Sequence, residues 1–174
     1  MHKEKTAMSK PTAASNPANR DLVLSHDIAA PRPIVFEFWT NQKHVALWWG
    51  PAGFLNPRCE LDVRQGGAIR IDMRAPDGKV YPMGGFYQEV VEPERLVFSA
   101  SALDSLDHPL LDTLNTVTFE DRGDSTRIVL LVHVLRTTDD ATSYLNGMEN
   151  GWKQSLDRLE AYVSRVFHSA GAND

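Results

Sequence analysis

The chain has 174 residues, enough for one domain with a sizeable core, and its 42% apolar and 24% charged residues are ordinary for a globular protein. A net charge of −5, spread without blocks, excludes a basic nucleic-acid-binding face, and no run of about 18 apolar residues offers a membrane span. Cys59 is the only cysteine, so no internal disulfide and no thiolate metal cluster is expected, and with no apolar signal segment the expected compartment is the cytoplasm.

Residues 1–20, MHKEKTAMSKPTAASNPANR, carry no apolar pattern and are expected to be a disordered tail. The folded domain is expected over 21–167, with 168–174 as a second disordered end. Asp21 to Ile28 reads as a first strand with Leu22, Leu24 and His26 on one face. The Ala30-Pro31-Arg32-Pro33 run breaks it, and proline suits the first turn of a short helix over 31–40. A second short helix over 42–47 leads into Trp48-Trp49-Gly50-Pro51, where Gly and Pro end it.

From Phe54 to Leu135 the signals are those of strands. Residues 58–63 form one, closed by Gly66-Gly67. Residues 68–74 alternate, with Ile69, Ile71 and Met73 opposite Arg70, Asp72 and Arg74. Asp77-Gly78 predicts a hairpin turn into a strand over 80–91, where Gly84-Gly85 predicts a bulge or bend. A strand over 95–102 follows, then a loop over 101–111 without period, then strands over 113–120 and 126–135. In the last, Ile128, Leu130, Val132 and Val134 share a face; the other holds Arg127, Val129, Leu131 and His133.

Ala141 to Phe167 is the longest helical pattern. Leu145, Met148, Trp152, Leu156, Leu159, Val163 and Val166 recur at steps of three and four and draw one apolar stripe. Asp139 and Asp140 are placed to cap its start. Lys153, Gln154, Asp157, Arg158 and Glu160 lie off the stripe, as a solvated face does. Gly147 and Gly151 sit one turn apart inside it, each at a cost of about 1 kcal/mol relative to Ala. They permit close packing or leave room for a ligand; the pattern favours Gly147 as a cavity position and Gly151 as a packing one. A single-stripe helix needs a surface to bury it, and an antiparallel meander with a concave face supplies one. The expected class is α+β, with six or seven strands curved around the C-terminal helix.

No nucleophile elbow, phosphate loop, H-E-x-x-H or C-x-x-C occurs. The six histidines include no pair at metal-ligand spacing, so no metal and no cofactor are expected. His133 is the best-placed working histidine, but its parity turns it away from Ile128, Leu130 and Val132. Asp72, Glu89 and Glu120 read as outward strand residues, and Glu149 and Asn150 as a solvated flank. No catalytic residue is assigned. Trp48, Trp49, Phe54, Met73, Met83, Phe86, Phe98, Met148 and Trp152 come from separate elements that a helix on a meander would gather. They make a filled core or the adaptable wall of a cavity.

Taken together, Trp48-Trp49-Gly50-Pro51, Gly66-Gly67, Asp77-Gly78, Gly85-Phe86-Tyr87-Gln88-Glu89-Val90, Pro93-Glu94-Arg95-Leu96-Val97-Phe98 and Gly151-Trp152 with Leu156 and Leu159 carry a resemblance. In this order and spacing, over about 21–163, the chain resembles the activator-of-Hsp90-ATPase-like (AHSA1-like) family of the START-like, or SRPBCC, superfamily, which includes the Bet v 1-like proteins. The resemblance implies a helix-grip fold: a curved antiparallel sheet around the C-terminal helix, with two short helices closing one end. It also implies a hydrophobic cavity between sheet and helix, since members bind lipids, hormones or polyketides.

The leading expectation is thus a protein that binds a hydrophobic or amphipathic small molecule. The candidate ligand-binding residues are Trp48, Trp49, Ile71, Met73, Met83, Phe98, Leu114, Thr116, Gly147, Met148 and Trp152. A cyclase- or hydrolase-like enzyme is the alternative, and needs an inward titratable group. A chaperone-associated interaction module is the third reading. Val129 and Leu131 beside Arg127 and His133 would supply its patch, or a homodimer contact.

Overall fold

The computed structural model describes residues 21–169; the tail expected at 1–20 and residues 170–174 lie outside them. The elements run β1 (Leu22–Ile28), α1 (Arg32–Thr40), α2 (Gln42–Trp48), β2 (Leu55–Leu61), β3 (Ala68–Arg74), β4 (Val80–Val91), β5 (Arg95–Leu103), β6 (Pro109–Asp121), β7 (Thr126–Thr137) and α3 (Thr142–Val163). Seven strands form one sheet in the order β1-β7-β6-β5-β4-β3-β2, every pair antiparallel. The α1–α2 segment carries the chain from one edge to the other. A plain meander then returns strand by strand to β1, and α3 packs across the inner face. This is the helix-grip arrangement.

Local chemistry explains the short helices. Pro31 stands at the start of α1 in extended conformation, and Pro33 occupies the first turn, where a missing N–H costs nothing. Asn41 ends α1 and begins α2: its N–H donates to Glu37 O, and its side chain accepts from Lys43 N–H at 3.0 Å. Val35, Phe36, Phe38 and Trp39 of α1 are buried, as are Val45 and Trp48 of α2.

Strand parity builds the core. Ile69 and Ile71 face inward from β3, Leu96 and Phe98 from β5, Val117 and Phe119 from β6, and Ile128, Leu130 and Val132 from β7. Leu156, Leu159, Tyr162 and Val163 of α3 meet them. The apolar stripe is confirmed through Val163, but Val166 is exposed and Tyr162 is buried instead. The last turns of α3 pack on α1 and α2 as well as on β1 of the sheet. There Tyr162 stands edge-on to Phe38 at 5.3 Å, and its hydroxyl pairs with His44 Nδ1 at 2.7 Å.

Four other expectations are corrected. The segment expected as a loop over 101–111 is mostly strand, and only residues 104–108 are loop. Gly84-Gly85 is not the bulge: the irregularity in the β4–β5 register lies between Tyr87 and Glu89. Gly85 is needed for close approach, because a Cβ there would lie 1.9 Å from Ser99 O. Phe86 is exposed, and its neighbour Tyr87 is the inward ring. Asp139 and Asp140 make no capping bond with their side chains; they form a 3-10 turn ahead of α3, where their charge still faces the positive end of the helix.

Candidate ligand cavity

The core does not fill the whole space between sheet and helix. Beneath the first half of α3 lies a cavity of about 400 Å³. Small residues on both facing surfaces make it. Ser143, Gly147, Gly151 and Ser155 recur every fourth position along α3, and Ala100, Ala102 and Thr113 face them from β5 and β6. Larger apolar side chains form the rest of the wall: Trp49, Phe54, Met73, Met83, Leu111, Val132, Met148 and Trp152.

The cavity ends where the core begins. Asn115 is the last β6 residue to line it, and Val117, the next inward residue, belongs to the packed core. Trp49 and Trp152 stand edge-to-face at 5.2 Å, and Trp152 stacks on Trp39 at 6.2 Å. At the other end Phe54, Tyr81 and Tyr144 form a chain of rings 6.0 and 6.1 Å apart that joins the α2–β2 loop, β4 and α3. Lys79 caps Tyr81 from outside, 4.9 Å from the ring centre. Gly147 and Ser143 are exposed, so the opening lies beside the start of α3.

The loop that forms one wall is held by α3. Arg158 Nη1 donates to the carbonyls of Trp49, Gly50 and Pro51 at 2.9, 2.8 and 2.9 Å, and Nη2 to those of Leu47 and Phe54 at 3.3 and 3.1 Å. Two of these carbonyls end α2, where a cation also complements the helix dipole. Gln154 Oε1 accepts from Ala52 N–H at 3.0 Å, and Asn56 Nδ2 donates to Ala46 O and Trp49 O. Gln154 and Arg158 therefore do not belong to a solvated face. Burial pulls the Arg158 guanidinium below its ordinary value, and the carbonyls stand where a carboxylate would.

The candidate residues divide. Trp49, Met73, Met83, Gly147, Met148 and Trp152 line the cavity. Trp48 does not: it is fully buried in the core, and its indole N–H donates to Phe38 O at 2.9 Å. Ile71 and Phe98 also lie in the core, around a gap of about 20 Å³. Leu114 and Thr116 are on the outer face of β6, because Thr113, Asn115, Val117 and Phe119 take the inner one. The lining residues outside the candidate set include all of the polar ones: Tyr81, Tyr144, Ser143, Thr113, Asn115 and Ser155. Ser143 and Ser155 share the four-residue spacing of the two glycines, and that signal was present in the sequence.

Both glycines face the cavity. A Cβ at Gly147 would meet nothing within 4 Å, and one at Gly151 would meet only Pro51 Cγ at 3.8 Å, an ordinary contact. The sequence division into one cavity glycine and one packing glycine does not hold. Gly147→Ala and Gly151→Ala should each raise stability in urea unfolding by about 0.5–1 kcal/mol, through helix propensity and a less free unfolded chain. A fall at either position would mean that occupied space faces it.

Other titratable groups lie away from the cavity. Among the described residues that line it there is no Asp, Glu, Lys, Arg or His, and its phenols are Tyr81 and Tyr144. Burial, and then Tyr81, push the Tyr144 phenol upward. Cys59 is pushed up to about 11 by burial and then by Glu60, so it carries little thiolate at neutral pH. On the outer face His133 Nδ1 pairs with Asp21 at 2.7 Å and Arg127 with Asp27 at 2.9 Å, so polar pairs between β1 and β7 stand at both ends of the Val129–Leu131 stretch. His26, Asp157 and Glu160 gather with ligand atoms within 4.8 Å of one another, a cluster hidden in the sequence because His26 lies more than a hundred residues from the other two. His26 Nε2 and Glu160 Oε2, 2.7 Å apart, tie β1 to α3. No helix among the described residues is long and apolar enough to cross a membrane.

Comparison with known proteins agrees with this architecture. The AHSA1 protein of Silicibacter pomeroyi superposes with a TM-score of 0.72 at 25% identity, over 83% of this chain and 97% of that one. A protein of Chromobacterium violaceum gives 0.68 at 25%, over 81% and 95%. A solution structure from Arthrobacter aurescens gives 0.77 at 21%, over 86% and 89%, a likeness of fold. No functionally curated protein matches the chain. The sequence profile of the Activator of Hsp90 ATPase homolog 1-like protein family matches residues 29–164, and the chain belongs to that family.

Proposed function

We propose that this protein binds a small apolar or amphipathic molecule in the cavity between the sheet and α3. The observation that carries the reading is the cavity of about 400 Å³ itself, with largely apolar walls and small residues on both facing surfaces. That volume lies within the ordinary range for sites that enclose small ligands, about 300–1,000 Å³. A core selected for stability alone would close it, because unfilled space costs stability. The family membership supports the reading, since the wider superfamily uses this space for ligands. With phenols as the titratable groups of its lining, the cavity favours binding over acid–base chemistry.

The test uses protein purified without detergent. Native mass spectrometry should show a co-purifying small molecule, or the emptied protein should enhance the fluorescence of N-phenyl-1-naphthylamine. Gly151→Leu, which extends a side chain from the cavity wall, should weaken dye binding at least about tenfold, the loss of roughly one good contact. No enhancement with the wild-type protein, or equal enhancement with the filled variant, would refute the cavity as the site.

A further inference from the structure

We propose that the inner end of the cavity takes an uncharged ligand group bearing a hydrogen-bond donor, a hydroxyl or an N–H, and that Asn115 reads it. The inference rests on the binding reading above and adds the chemistry of the ligand. Asn115 lies at the inner end of the cavity and is 1% exposed. Its Nδ2 donates to Phe98 O at 3.3 Å and to Thr113 Oγ1 at 3.0 Å. A main-chain carbonyl can only accept, so the amide nitrogen must be the atom that faces Phe98. Both amide hydrogens are thereby used. Oδ1 has no donor among the described residues.

The other polar groups at this end behave alike. Thr113 accepts from Asn115 and donates its own hydroxyl to Ala100 O at 3.3 Å. Ser155 donates to Gly151 O at 2.9 Å. All three side chains spend their hydrogens on the protein, and what they turn toward the cavity is lone pairs. An acceptor-only end welcomes a donor and leaves a ligand carboxylate or phosphate facing oxygen atoms with no cation beside it. The nearest guanidinium, that of Arg158, is turned onto five main-chain carbonyls and does not line the cavity. A cationic ligand would find no carboxylate there either. Burying an unpaired charge is far costlier than burying a hydroxyl that gains an acceptor.

Three naphthalenes of similar size separate the cases: 2-naphthol, 2-methoxynaphthalene and 2-naphthoate, each used to displace N-phenyl-1-naphthylamine from the wild-type protein at pH 7. The expected order is 2-naphthol first, by about tenfold over the methyl ether, the value of one hydrogen bond to an otherwise unpaired acceptor. 2-Naphthoate should come last. Asn115→Leu should bring the naphthol-to-ether ratio to about one, and Thr113→Val, which leaves Oδ1 in place, should keep most of it. The wild-type ratio needs no variant, so a poorly folding Asn115→Leu protein does not spare the proposal. Equal displacement by naphthol and its ether, or tightest displacement by naphthoate, overturns the selectivity while leaving the cavity reading intact. Failure of the dye to bind at all overturns both.

Discussion

Arg158→Met is expected to lower stability by about 3 kcal/mol, because hydrogen bonds from a charged donor contribute about 1.5–3 kcal/mol each and those of one fork are not additive. Methionine keeps the length of the stem and removes every N–H, so five carbonyls from Leu47 to Phe54 lose a donor, of which Trp49 O (from Asn56) and Pro51 O (from Phe54 N–H) keep another. For a domain of this size the melting temperature should fall by about 6–12 °C. Dye binding should weaken as well, since Trp49, Gly50, Pro51 and Phe54 are cavity wall. Arg158→Lys discriminates between charge and shape. One ammonium carries three donors on one atom and cannot reach all five carbonyls, so lysine should recover only a minor part of the loss. Full recovery by lysine would show that positive charge at the end of α2, rather than the planar fork, is what matters.

Trp48→Ala should be among the most damaging substitutions, at about 3–5 kcal/mol in urea unfolding. The ring is completely buried, stands edge-to-face with Trp39 at 4.8 Å, and donates to Phe38 O. Truncation opens a large void and leaves that carbonyl unpaired. Trp152 sits at the centre of the α3 stripe, and from that place alone its truncation is expected to be among the most damaging. In the fold it borders the cavity and is only half-buried, so Trp152→Ala enlarges an existing space and should cost less than about 3 kcal/mol. Equal losses for the two variants would mean that the space beside Trp152 is filled in solution.

Several features of the cavity needed the third dimension. The parity of β6 is an example. In the strand expected over 113–120, Leu114 and Thr116 are expected on the cavity wall. Val117 and Phe119 decide otherwise, because both are buried in the core and a strand alternates strictly. Thr113 and Asn115 are carried inward with them, tolerated because each bonds to main chain of β5. Arg158 shows the same limit: at helical spacing it reads as solvated, and its partners lie more than a hundred residues away in sequence.

What the sequence by itself determined was the element order, the meander, the single-stripe helix and the family resemblance. Those are local or periodic properties: alternation at two, recurrence at three and four, turn residues at fixed places. It also held the trace of a gap, in small residues every fourth position along α3. Only the tertiary structure decided that the gap stays open, which aromatic rings border it and which polar atoms end it. Those outcomes depend on how side chains from distant strands meet the helix. One residue of register reverses which side chain faces inward, and a few ångströms of separation divide a packed core from a cavity.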